Sequence, residues 1–291
     1  MKADPRFSGK DLEFWAYVRL LSEDLGYVVK KRGRKNIKPE ADSGIEGTIA
    51  TFELSKLIFS LEQMDLSSAK LQDASGNVSV FGRDLEAYFI YRADSLNQTV
   101  QANLMDRAQA ETEFLRLEVE LNPSCPRPKN KQKDTSPAFL TGIVNMLLEQ
   151  HVGSSQINYN PQELIKISRD DLPLRTFSRR VDGCFPAATN PKAIWEIKEY
   201  YNTTSFGSRI SDGVYETALD GMERYELEQS HGIHIHHTLF IDSRIAWWTP
   251  GGKPYLCRLI DLLNMGYVSE LIVGREVLIR LPELIQEWKN L

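Results

Sequence analysis

Cysteine is scarce in this chain: Cys125, Cys184 and Cys257 are odd in number and widely spaced, which argues against a disulfide framework and predicts reduced thiols in a cytoplasmic protein. No apolar run is long enough to cross a bilayer. The opening Met-Lys-Ala-Asp-Pro-Arg-Phe also lacks the apolar core of a secretion signal, so no membrane association is expected. Positive charge is not in surplus either. A net charge of −5 excludes a globally basic nucleic-acid coat and confines any affinity for phosphates to local clusters. There is no Gly-x-Ser-x-Gly elbow and no Gly-rich phosphate loop, which sets aside serine hydrolases and Walker or dinucleotide folds. Internal repeats and low-complexity segments are missing too.

What is present begins with helices. Leu12, Trp15, Ala16, Leu20 and Leu21 recur at helical spacing between Ser8, a predicted N-cap, and Gly26 at the exit. A second helix is predicted from near Ser43 through Ile49, Phe52, Leu57, Ile58 and Leu61, then a turn over Asp73 to Asn77. Gly82 to Leu121 is periodic again, and because one straight helix of that length would span ~60 Å, a break is expected over Asp94 to Thr99. Residues 1–122 thus read as a mainly helical N-terminal region, with DNA recognition as one use for it. Residues 123–137 hold Pro123, Pro126, Pro128 and Pro137 and read as a basic linker or loop. Residues 138–291 form the remaining unit, which opens with a helix over Ala138 to Gln150.

Two basic clusters stand out. Lys30, Lys31, Arg32, Arg34, Lys35 and Lys38 follow Val28 without an intervening acid, and Arg127, Lys129, Lys131 and Lys133 lie in the linker. Either alone reads as a solvated loop. Together with the stretch described next they are assigned to DNA-backbone contacts through Coulomb attraction and counterion release.

That stretch is 178–201. Ala193, Ile194, Trp195 and Ile197 mark a strand in which Glu196 and Lys198 share a face. Upstream, Val181-Asp182 ends a first arm, and Gly183, Pro186, Asn190 and Pro191 are turn residues that bring Asp182 beside them. Carboxylates are the hard oxygen ligands that Mg²⁺ accepts, and a neighbouring lysine can orient or deprotonate a metal-bound water or stabilise charge on a phosphate. Glu163 to Ser168 precedes this as a short strand. A helix over Ser211 to Ser230, a strand over Ile233 to Asp242, a helix over Pro254 to Gly266, a strand over Ser269 to Val273 and a terminal helix follow.

Asp182, thirteen residues, then Glu196-Ile197-Lys198 resembles the active-site signature of the PD-(D/E)XK nuclease superfamily, with Val181 where that family often has Pro. Helix, three strands, helix, strand is similar to its core order. The resemblance covers roughly Pro137 to Asp242. It implies a mixed α/β, restriction-endonuclease-like core with a central mixed β-sheet flanked by helices. It further implies Asp182 and Glu196 as Mg²⁺ ligands, the Ile197 carbonyl as another, Lys198 positioning the attacking water, and by element order Glu149 as an additional acid. The implied protein is a type II restriction endonuclease acting on double-stranded DNA as a homodimer, with a cognate DNA methyltransferase. Tyr201 to Arg209, leaving the active strand, is placed near the scissile phosphate, with Tyr201 and Arg209 as DNA contacts. Two rival expectations remain: a nuclease of the same fold in DNA repair or phage defence without a defined target, and a non-catalytic DNA-binding protein.

Other constellations point elsewhere. Glu287-Trp288-Lys289 repeats the Glu-x-Lys spacing, but in a helical pattern where i and i+2 diverge. His231, His234, His236 and His237 lack partner ligands at zinc spacing and read as a polar strand end. Trp247-Trp248 reads as a loop anchor rather than a base-stacking platform.

Overall fold

The structure is a computed structural model that describes residues 1–29, 47–130, 136–153, 157–201 and 207–291. Lys30, Lys31, Arg32, Arg34, Lys35, Lys38, Lys131 and Lys133, assigned above to DNA, lie outside the described residues, as do 202–206. In chain order the elements are α1 (Leu12–Leu25), β1 (Val28–Val29), β2 (Thr48–Ile49), α2 (Leu54–Gln63), α3 (Val80–Asp94), a π-helix (Ser95–Val100), α4 (Gln101–Asn103), α5 (Arg107–Leu121) and α6 (Phe139–Val152). Then come β3 (Lys166–Arg169), β4 (Leu172–Thr176), β5 (Gly183–Phe185), β6 (Ala193–Glu199), α7 (Gly207–His231), β7 (His236–Asp242), α8 (Arg244–Trp247), α9 (Lys253–Asn264), β8 (Glu270–Val273) and α10 (Val277–Asn290).

The fold is mixed α/β, with a mixed sheet flanked by helices. Four strands lie in the order β5-β6-β7-β8, the first pair antiparallel and the other two parallel. Parallel neighbours need helical crossovers, which α7 and α9 supply. Strand alternation sorts the side chains onto two faces. Ala193, Trp195, Phe240 and Ile272 pack with α5, α6 and α10, while Leu239, Ile241, Leu271 and Val273 share a core with α9 and the start of α7. Trp195 stacks on Trp288 of α10 at 5.7 Å between ring centroids, so the second Glu-x-Lys straddles a core tryptophan. β3 and β4 form a separate hairpin that packs, with β5, against the far end of α7.

Several boundaries differ from the sequence reading for identifiable reasons. The N-cap of α1 is Asp11, whose carboxylate accepts from Phe14 N at 2.9 Å, not Ser8. Thr48–Ile49 pairs with β1, so the second helix starts only at Leu54. No break falls at Asp94 to Thr99. The helix widens there into a π-helix, and the Asn97 amide bonds both the N–H (2.9 Å) and the carbonyl (3.2 Å) of Ile49. The interruption comes at Leu104, which turns extended before Asp106 and Gln109 form a capping box on α5. Phe114 and Leu117 of α5 share a core with α6, so α5 packs with the sheet-bearing unit although it precedes residue 122. The helical N-terminal part is tied on by a buried ion pair: Arg92 reaches Asp261 at 3.1 Å and Ser22 at 3.0 Å, and Tyr88 donates to Asp261 at 2.5 Å.

Candidate active site

Gly183 pairs with Trp195 in the β5-β6 register, which sets Asp182 opposite Glu196. Read as a turn residue from sequence, Gly183 lies instead in the strand. A Cβ there would come within 2.1 Å of the Trp195 ring, so the position takes glycine because of packing. One residue before it, Asp182 Oδ2 accepts from Ile197 N at 2.8 Å. The contact of Ile197 with this carboxylate is therefore through its amide.

Glu196 and Lys198 project from β6 toward α7. Lys198 Nζ lies 2.8 Å from Glu196 Oε2 and 2.5 Å from Glu216 Oε2 on α7. Arg179, in the loop between β4 and β5, joins the same group. Its fork spans Glu196, Nη1 at 2.8 Å from Oε1 and Nη2 at 3.2 Å from Oε2, and it reaches Asp220 at 2.6 Å and Glu216 at 3.4 Å. Glu196 and Asp220 are fully buried, Lys198 nearly so, and Glu216 is half open to solvent.

These contacts set the charge states. Burial alone would raise Glu196, but Lys198 and Arg179 outweigh it and hold the carboxylate below its ordinary value. Burial would lower Lys198, yet Glu196, Asp182 and Glu216 overcome that and raise it, so the ammonium stays charged. A charged Lys198 donates and orients; it does not take up a proton. Burial and the nearby Glu196 push Asp220 up to about 7 despite Arg179.

Asp182, Glu196 and Lys198 are thus brought together. Glu149 is not with them: its carboxylate accepts from Ser124 and from Cys125 N at 3.0 Å and fastens the loop after α5. Tyr201, assigned to DNA, is a correction. It is buried at 6% exposure and its hydroxyl donates to Asp242, because residues 199 and 201 alternate onto the α6 side of the sheet, away from 196 and 198. Arg209 is exposed at the start of α7, its carbonyl accepting from the Tyr200 hydroxyl at 3.0 Å. Lys129 is exposed, whereas neighbouring Arg127 is clamped by Glu118 at 2.5 and 2.6 Å. The sequence reading missed Arg179, Glu216 and Asp220. The i, i+4 spacing of the two acids on a helical pattern was the available signal.

Among the described residues no group of three His, Cys, Asp or Glu side chains closes on a point where a metal ion would sit. Arg179 and Lys198 nitrogens lie between the carboxylates instead. The donor chemistry nonetheless suits Mg²⁺, since the oxygens are hard and four acids, Asp182, Glu196, Glu216 and Asp220, face two cations. His236 and His237 are kept neutral by burial, down to about 3 and about 4, and neither joins the cluster. Trp247 and Trp248 are buried, as anchors.

Fold and cluster together define an α/β protein whose sheet carries a carboxylate and lysine constellation on an antiparallel strand pair, roofed by the following helix. By family, the chain belongs to the domain of unknown function DUF7687, whose family model matches residues 105–288, more than half of it. A second family model, the domain of unknown function DUF7690, matches residues 1–99. The division falls just before α5, where the packing also changes. No curated protein and no solved structure matches the chain.

Proposed function

We propose that this protein is a Mg²⁺-dependent DNA endonuclease with a PD-(D/E)XK-type core, most like a type II restriction enzyme. The supporting observation is the cross-strand convergence of Asp182, Glu196 and Lys198, followed by a helix and a parallel strand. Asp182 and Glu196 are the residues that would hold Mg²⁺. When bound, the ion supplies Lewis-acid polarisation of the phosphate and lowers the pKa of a water. Lys198, kept charged by its acidic neighbours, would orient the attacking water and stabilise charge building on the phosphate oxygens. Exposed Lys129 and Arg209 are candidates for backbone contacts. Cutting both strands needs two sites, which a two-fold homodimer would supply.

One observation favours a second reading, an internal ion-pair network in a non-catalytic DNA-binding protein. Glu196 is fully buried and both its oxygens are engaged by Arg179 and Lys198. Plasmid cleavage with Mg²⁺ separates the two. Linear or nicked product from the wild type, abolished in Asp182→Ala and Lys198→Ala, is expected for the nuclease. Activity that survives both substitutions would refute the mechanism, and scattered termini would point to a nuclease without a defined target.

A further inference from the structure

Arg179 holds a position that a metal ion would compete for. Its Nη1 bridges Glu196 Oε1 (2.8 Å) and Asp220 Oδ2 (2.6 Å), and Nη2 bridges Glu196 Oε2 (3.2 Å) and Glu216 Oε2 (3.4 Å). Glu216 and Asp220 stand one turn apart on α7, so they approach Glu196 as a pair. The three carboxylates therefore all face Arg179, and its guanidinium, with the Lys198 ammonium bridging Glu196 and Glu216 beside it, holds them apart.

The pairing is incomplete. Asp220 is fully buried, and among the described residues its second oxygen, Oδ1, has no hydrogen-bond partner. Buried polar atoms in native structures are almost always satisfied, so the orphan oxygen of a carboxylate that already shares Arg179 with two others leaves room for a further partner. A planar guanidinium that spans Glu196 bidentately offers its hydrogens in one plane. A small divalent ion carries twice the charge and accepts oxygen ligands from several directions.

We propose that Glu196, Glu216 and Asp220 form a divalent-cation subsite and that Arg179 is its resident stand-in, a side chain that must swing outward before the ion enters. The geometry allows the swing. Arg179 is 23% exposed and Glu216 41%, so both side chains reach solvent from the cluster. Flanking Phe177 and Val181 are buried, and the Ser178 hydroxyl donates to Glu223 at 2.5 Å. The backbone is thereby pinned on both sides, and the movement is one of the side chain. What the ion would be used for rests on the nuclease reading; the subsite itself does not.

The test is ion binding by titration calorimetry and thermal unfolding with Mg²⁺ and with Ca²⁺, on wild type, Arg179→Ala and Glu216→Gln. Arg179→Ala is expected to unfold at lower temperature without metal, to recover on addition of millimolar Mg²⁺ or Ca²⁺, and to bind the ion ~10-fold more tightly than wild type once the competing charge is gone. Glu216→Gln alters a half-exposed acid and leaves the buried charges in place, so it reads the subsite even if Arg179→Ala does not fold; its ion affinity should fall several-fold. Ion affinity unchanged or weaker in Arg179→Ala, with no metal-dependent recovery, or unchanged in Glu216→Gln, would overturn the proposal. Tighter ion binding by Arg179→Ala in a protein whose wild type leaves plasmid uncut would support the subsite and remove the nuclease reading. Mg²⁺-dependent cleavage by wild type with no change in ion binding in either variant would do the reverse.

Discussion

Asp242, at the end of β7, provides a sharp test of how burial sets charge in this fold. It is fully buried; its Oδ1 accepts from Met105 N and Ser243 N, each at 2.8 Å, and its other oxygen from the Tyr201 hydroxyl. Burial pushes it up from 3.8 to about 7, and Glu199, its partner in the parallel register, is likewise pushed by burial to about 7. An acid whose folded pKa is raised stabilises the fold while protonated. The native state then binds a proton that the unfolded chain has released, and stability falls as pH rises from about 4 to about 7. At ~1.4 kcal/mol per pH unit, the rise from 3.8 to about 7 sets a ceiling of about 4 kcal/mol. Asp242→Asn keeps the acceptor for Met105 and Ser243, turns an N–H toward the Tyr201 oxygen, and costs about 1 kcal/mol for the displaced hydroxyl proton. Urea unfolding between pH 5 and pH 8 should therefore show wild type losing stability with rising pH, and the variant losing about 2–3 kcal/mol less. The two curves should cross near pH ~4.5, so the variant is already slightly the stronger protein at pH 5 and clearly so at pH 8. Parallel curves for the two proteins would refute the assignment of a buried, protonatable Asp242.

Three further outcomes follow from the same geometry. Gly183→Ala drives a methyl into the Trp195 ring and should cost about 1–3 kcal/mol by overpacking. Because Asp182 is the next residue, any cleavage should fall with it, and thermal unfolding checks the first part. Lys198→Met removes one of the two cations that hold buried Glu196 and should cost about 3–5 kcal/mol in chemical unfolding, the scale for breaking a buried pair. A loss under about 1 kcal/mol would mean that water already reaches Glu196. Glu149→Ala should lower stability by about 1 kcal/mol through the loop at Ser124 and Cys125 and leave any cleavage intact, whereas a loss of cleavage would restore Glu149 to the site.

Much of the fold was legible because long periodic segments declare themselves. α1, α6, α7, α9 and the strands β6 to β8 fall within a few residues of the sequence reading. The misses share a cause, a distant partner overriding a local signal. Thr48–Ile49 reads as helix until β1 and the Asn97 amide claim its backbone. Gly183 reads as a turn until Trp195 is laid across it. Leu172–Thr176 contains Pro173 and was not read as a strand, yet it pairs with β3 across a register shift. At the site, Asp182, Glu196 and Lys198 were visible because strand parity and one turn suffice to group them. Arg179 was hidden in an irregular loop. Glu216 and Asp220 were hidden because helical spacing says that two acids share a face but not which face meets the sheet. Tyr201 was a miss of a different kind: its odd separation from Lys198 already assigned it to the opposite face.

The buried state of Glu196 is where the competing functional readings part, and Arg179 is the partner through which that state can be probed. Glu196 has no exposed surface, whereas Arg179 and Glu216, which contact it or its partners, reach solvent. If the arginine were a fixed structural partner, its removal would leave a buried carboxylate uncompensated and no cation would repair the loss. If it is a stand-in, the cost of its departure is offset by whatever replaces it, and stability becomes conditional on metal. The pinned backbone at Phe177, Ser178 and Val181 sharpens this difference. It ties the loop backbone down, so that the movement the proposal requires is a rotation of the Arg179 side chain. Arg179→Lys then serves as a graded probe. A point charge in place of the planar fork keeps a cation near Glu196 while giving up the bidentate geometry. Ion affinity between that of wild type and that of Arg179→Ala is the ordering that competition requires, and a purely structural arginine has no reason to produce it.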